Sequence, residues 1–206
     1  MAILGAAFPF VFLVSSFVLK RTTFQTSISV YYQTLDPERN IFVGVLFAIA
    51  VFLILYKGYT KLEDYVLHIA GISVLGVALF PVDKTDDGGA FLVSAHSVFA
   101  VSFFTCIFIV CIFMSETSLK KLQDEDRKRT FRRLYRLCAS VMVGAVILAI
   151  ISRLLSADFI HALRKNGAIF WFEAVSVWAF SAFWFIKTRE MVPSMSWIPF
   201  RLKRET

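Results

Sequence analysis

The sequence is poor in the residues that most enzyme signatures require. Its 206 residues include only three His, three Cys, nine Gly and five Pro. It contains no HExxH, CxxC, GxSxG or phosphate-cradling Gly loop, and no apolar run carries an HxxxH pair. No metal site and no cofactor is therefore expected. Cys106, Cys111 and Cys138 lie in or at the edge of apolar runs, where they read as small apolar fillers rather than a disulfide framework. Transport signatures are equally sparse: there is no Gly/Pro-interrupted pair of segments in two matching halves and no charged row along one helix. Repeats and low-complexity tracts are absent by inspection.

Apolar length is abundant instead. Hydrophobic residues make up 58% of the chain, including 23 Phe, more than a soluble core of this size holds. A helix needs about 20 residues to cross roughly 30 Å of hydrocarbon. Six runs qualify: Ala2 to Val18, Ile41 to Tyr56, Tyr65 to Val82, Phe91 to Met114, Leu137 to Leu155 and Ile169 to Ile186. The expected fold is all-α, a polytopic six-helix membrane bundle forming one integral domain over residues 1–206. The first run has no basic leader and no small-x-small cleavage site before Lys20, so it reads as a retained anchor.

Charge orients the bundle. Most of the 22 Lys and Arg sit at Lys57, Lys61, the run from Lys120 to Arg136, and the tail with Lys187, Arg189, Arg201, Lys203 and Arg204. The positive-inside rule places these loops and both termini in the cytoplasm, with Lys20 and Arg21 opposing it locally. On the other face acids balance bases, so the formal +7 lies inside. The basic segment from Lys120 to Arg136 reads in two ways: contact with anionic lipid headgroups, or topogenic charge on helical extensions of the fourth and fifth spans. Membrane lipids are the expected partners and self-association stays open. Nucleic acid is not expected, because the positive charge flanks spans instead of forming a domain. A bacterial inner membrane is the expected location.

Ionisable residues inside spans cost about 2.5 to 3.5 kcal/mol on insertion scales and are functional candidates by default. Glu173, with Ser176 one turn further in, lies a few residues below the outer end of the sixth span. His96, flanked by Ser94 and Ser97, lies at a similar place in the fourth. At about 1.5 Å per residue both sit roughly 7 Å below the outer interface. Asp83 ends the third span at that face, and Ser27, Ser29, Tyr31, Tyr32 and Arg39 descend on it from the first outer loop. The candidate ligand-binding set is His96, Glu173, Asp83, Ser27, Tyr31, Tyr32, Arg39 and Ser94. It forms either an outward pocket or a tie in which Glu173 and His96 bond each other or the loop above.

Four further expectations are local. Segment 25 to 32 alternates polar with apolar residues in part and reads as extended. Segment 156 to 166 reads as a short interfacial helix holding His161. Asp64 and His68, four residues apart, read as a pair at the inner interface. Gly44 with Ala48, and Ser140 with Gly144, have the spacing of close-packed helix contacts.

The runs SISVYYQTLDPERNIFVGVLFAIAVFLILYKGY, AGISVLGVALFP, SAHSVFAVSFF and FWFEAVSVWAFSAFWF resemble a bacterial integral-membrane family of unknown function. The chain is similar, more loosely, to the eukaryotic Frag1/DRAM/Sfk1 family. Pro37 and Glu38 before the second span, Asp87 to Ala90 opening the fourth, and Glu173 followed by aromatics match that family's landmarks. The resemblance implies six helices, an outward or lumenal polar site and a lipid connection, with no catalytic set to carry over. Three functional classes follow: a lipid-headgroup or amphiphile binder using the pocket; a membrane-embedded hydrolase or transferase with His96 and Glu173 as acid and base and Ser27 or Ser94 as nucleophile; and a proton-coupled or small-solute transporter, disfavoured by the apolar inner halves of the fourth and sixth spans.

Overall fold

A computed structural model describes residues 1–20, 22–34, 37–80, 94–154 and 166–191, with the backbone alone at 153 and 154. Asp83, His161, segment 156–165 and the basic tail beyond 191 lie outside these residues. Helix is the regular structure of the described residues. Helix α1 covers Ala2–Leu13 and continues through a π-helical turn, Val14–Val18; a 3-10 turn follows at Ser29–Gln33. Then come α2 (Glu38–Leu55), α3 (Lys61–Leu79) and α4 (Ala95–Ile109), which runs through a π-helical turn at Val110–Met114 into α5 (Ser115–Leu119). The last two are α6 (Glu125–Leu154) and α7 (Ala168–Met191).

Among the described residues, five stretches have the length and hydropathy to cross a membrane: Glu38–Leu55, Lys61–Leu79, Ala95–Leu119, Glu125–Ser152 and Ala168–Met191. Ala2–Val18 is apolar but shorter. The chain is thus a helical protein built for a bilayer, with five helices of spanning length where the hydropathy reading has six runs. Its outward faces support this. Phe10, Phe17, Phe52, Leu55, Ile69, Ile72 and Leu148 are exposed on successive helices, an apolar exterior that water does not tolerate on this scale.

The helices close into a ring in the order α1, α2, α3, α4, α6, α7 and back to α1. One apolar cluster fills the interior between α2, α3, α4, α6 and α7, around Leu53, Leu67, Ile107, Met142 and Phe183. A second joins Phe8, Phe12, Ile28, Tyr31, Phe42 and Phe170 at the opposite end, beneath the first loop. Caps mark the helix starts: the Thr60 side chain accepts from the Glu63 N–H, and Ser94 from that of Ser97, each satisfying a donor that the first turn leaves open.

Close helix approach occurs elsewhere than the small-residue spacing predicts. A Cβ on Gly44 or Gly144 would meet nothing within 4 Å. On Gly71 it would fall 3.0 Å from the Ala50 carbonyl and 2.6 Å from Ile54, and on Gly76 it would enter the Phe99 ring. Small-residue spacing identifies a face, but which face meets a neighbour is a property of the ring. The first loop differs too: residues 29–33 coil into a 3-10 turn where the alternating pattern suggests extension, because the backbone N–H groups of Val30, Tyr31 and Thr34 bond back to Ser27, Ile28 and Tyr31.

Candidate functional site

The loop of residues 22–34 is fastened to the start of α7. Gly167, with φ of +77°, makes the left-handed turn before the helix, and the Phe24 ring packs where any side chain on it would stand. The Phe170 N–H donates to the Thr26 carbonyl at 2.8 Å. One turn on, Glu173 receives the Ser27 hydroxyl within 2.8 Å of both carboxylate oxygens, and the Ile28 N–H at 2.6 Å on Oε2. Glu173 therefore acts as an anchor for the loop.

His96 holds the next residue of the same loop. Its Nδ1 lies 2.9 Å from the Phe80 carbonyl and its Nε2 lies 3.1 Å from the Ser29 hydroxyl. A peptide carbonyl only accepts, so Nδ1 carries the proton. In the neutral ring Nε2 is then the acceptor, and Ser29 donates to it. His96 and Glu173 thus meet through Ser27, Ile28 and Ser29, one gripping each end of the tripeptide. Ser29 closes the unit by donating its own N–H to Ser27 Oγ at 3.2 Å.

A cavity of about 140 Å³ opens directly below. Ser29, His96, Ser97, Glu173 and Ser176 form its polar end; the rest is apolar, from Phe42, Val74, Phe104, Val146, Ile150 and others. Val101 lines it and is itself exposed, and Ile147 and Ile151 beside its α6 wall are also exposed. The space is enclosed by α1, α2, α3, α4, α6 and α7 beneath the first loop, and it borders exposed residues on α4 and α6. It suits a molecule with one polar end and an apolar body.

The other predicted site residues take different places. Ser27 is buried beneath the loop as Glu173's partner, outside the cavity lining. Tyr31 is a core residue, fully buried and stacked on Phe12 at 4.4 Å, with its hydroxyl 2.7 Å from Ser16; its ring is too deep to act as a lid contact. Arg39 lies over the Tyr32 ring at 5.0 Å, and these two sit apart from the lining. Ser94 caps α4 and meets Ser97 Oγ at 2.9 Å. The paired reading of Asp64 and His68 fails: Asp64 accepts from the Gly58 N–H at 2.7 Å, and His68 Nε2 reaches the Ile54 carbonyl at 2.9 Å. The bend between α2 and α3 supplies the backbone partner of Asp64, and the last turn of α2 that of His68.

Two polar groupings escaped the sequence reading. Glu38 is buried against the Ser15 hydroxyl where α1 makes its π turn. Lys187, counted as topogenic charge, is buried among Ser118, Tyr135 and Glu190. The i, i+3 spacing of Lys187 and Glu190 was the available signal. Among the described residues, no three His, Cys, Asp or Glu side chains gather as a metal site.

No family model, no curated protein and no solved structure matches this chain.

Proposed function

We propose that this chain is an integral membrane protein whose cavity below Ser29, His96 and Glu173 binds a lipid headgroup or small amphiphile, serving lipid handling or membrane homeostasis. The observation that carries the reading is the cavity's polarity, a cluster of hydrogen-bonding groups at one end of an apolar space bordered by lipid-facing residues. A ligand site of this kind needs few, well-placed polar groups in an apolar wall. The resemblance to the Frag1/DRAM/Sfk1 family adds a lipid connection. The same reading takes Ala2–Val18 as a sixth span, puts both termini in the cytoplasm and assigns the protein to a bacterial inner membrane. Arg129, Arg133 and Arg136, all exposed on one face of α6, then stand at the cytoplasmic headgroup level, where anionic lipid is their natural contact.

Native mass spectrometry of the detergent-released protein, with co-purified lipid extracted and identified, tests this. Retained amphiphile is expected in the wild type, with a loss of tenfold or more in Ala149→Phe, which fills the cavity, and in His96→Ala. Equal retention in all three would refute the pocket.

A second reading rests on the Ser29 to His96 bond. A hydroxyl donating to an imidazole Nε2, with Nδ1–H held by a carbonyl, is the nucleophile, base and orienter arrangement of acyl-transfer enzymes. On this reading Ser29, rather than Ser27 or Ser94, attacks an ester carbonyl while His96 takes its proton and returns it to the leaving alcohol. Water then releases the acyl group as free acid and restores Ser29. Labelling by a fluorophosphonate, lost in Ser29→Ala and His96→Gln, is expected. An unlabelled wild type would leave binding as the sole role.

A further inference from the structure

The far end of the bundle holds a second buried ionic group. Lys187 of α7 donates to Ser118 Oγ of α5 at 2.5 Å and to Glu190 Oε2 at 3.2 Å. Tyr135 of α6 donates its hydroxyl to the same carboxylate oxygen. Glu63, in the first turn of α3, receives the Tyr59 N–H on Oε2 at 2.8 Å. The Lys187 ammonium stands 5.3 Å from the centroid of the Tyr59 ring, and Lys187 and Glu190 both act electrostatically on Glu63. Lys187, Glu190, Glu63, Tyr135 and Ser118 are each at most 5% exposed.

Charge and hydrogen bonds are both incomplete here. Glu190 contacts the one ammonium and Glu63 lies near enough to interact electrostatically with both, so the ionised cluster, with two carboxylates to one ammonium, carries a surplus negative charge. Glu63 Oε1 and Glu190 Oε1 are buried and have no hydrogen-bond partner among the described residues. An unpartnered buried carboxylate oxygen is a strongly unfavourable state. Among the described residues, the remaining titratable neighbours do not offset it. These are Tyr56 and Tyr59 from the α2–α3 bend, Asp64 beside Glu63, Cys111 from the π turn and Cys138 of α6, none of which is cationic. Burial, with Glu63 and Glu190 as lesser causes, holds the Tyr56 and Tyr59 phenols above their ordinary range and so uncharged. The Lys121 ammonium stands 4.1 Å from the centroid of the same Tyr59 ring, on an exposed side chain where water and salt screen its charge.

We propose that the Glu63, Glu190 and Lys187 cluster is a binding site for one proton, shared between the two carboxyl groups, that links α3, α5, α6 and α7. A proton satisfies the surplus charge with a single oxygen. A metal cation needs several oxygen ligands and would sit beside an ammonium that repels it. The proton belongs to the coupled pair rather than to either residue. This site is independent of the amphiphile cavity.

Infrared difference spectroscopy of the whole protein, reconstituted in lipid and stepped between acid and alkaline pH, reads the C=O stretch of protonated carboxyl groups. A carboxylic-acid band is expected at pH 7, lost in Glu63→Gln or Glu190→Gln and indifferent to replacing potassium with sodium. Lys187→Met should raise its intensity about twofold, because the second carboxylate then loses its counter-charge. Glutamine mimics the neutral acid in shape, which favours folding of the variants, and the wild-type titration with and without sodium stands without them. A wild type lacking the band, a band untouched by both cluster variants, or one abolished by sodium would each overturn the proposal.

Discussion

Glu173 and Ser27, separated by 146 positions in sequence, are joined by a hydroxyl lying 2.8 Å from each of the two carboxylate oxygens. That bond, with the Ile28 N–H alongside it, sets where the first loop rests on the bundle. It also fixes the height of Ser29 above the cavity.

Glu173→Ala should therefore loosen the loop before it affects the bundle. Loss of each hydrogen bond to this half-buried carboxyl group costs about 0.5 to 1.5 kcal/mol. We expect limited proteolysis to cut within residues 22–34 several-fold faster, with Glu173→Gln intermediate. An unchanged cleavage pattern would refute the anchoring role.

The helix contacts make an opposed pair of predictions. Gly71→Leu forces a side chain against the Ala50 carbonyl and Ile54 and should destabilise by about 1 to 3 kcal/mol. Gly44→Ala meets open space and removes helix-interior glycine, a gain of up to about 1 kcal/mol. Thermal unfolding in one detergent decides both signs.

Tyr31→Phe keeps the stacking on Phe12 and removes the hydroxyl that meets Ser16 and the Gln25 N–H. A loss of about 1 to 2 kcal/mol is expected, with amphiphile retention unaltered because the ring lies outside the cavity lining. Lost retention at unchanged stability would return Tyr31 to the site.

Topology is open to chemical labelling because Cys106, Cys111 and Cys138 are all buried. In intact cells a membrane-impermeant maleimide should modify Thr23→Cys but not Gln123→Cys until the membrane is opened. Equal labelling of both without lysis would reverse or abolish the proposed orientation.

The sequence alone determined that this chain is helical and built for lipid. Runs of some 18 apolar residues have no stable state in water and one simple state in hydrocarbon, where each backbone donor must find its acceptor within its own helix. It also singled out Glu173 and His96, since a charge inside such a run stands out against its surroundings. What it left undecided were partners distant in sequence: Ser27 for Glu173, Ser29 for His96, and Glu63 and Ser118 for the charges of α7. Lys187 is a clear example. At the end of a hydrophobic run a lysine reads as a charge reaching for water, and only the packing of α3, α5 and α6 around it turned it inward. Hydropathy is a property of each segment, whereas the side of a helix that meets a neighbour depends on all of them together. The tertiary structure therefore decided which polar residues anchor a loop, which line a cavity and which share a buried charge.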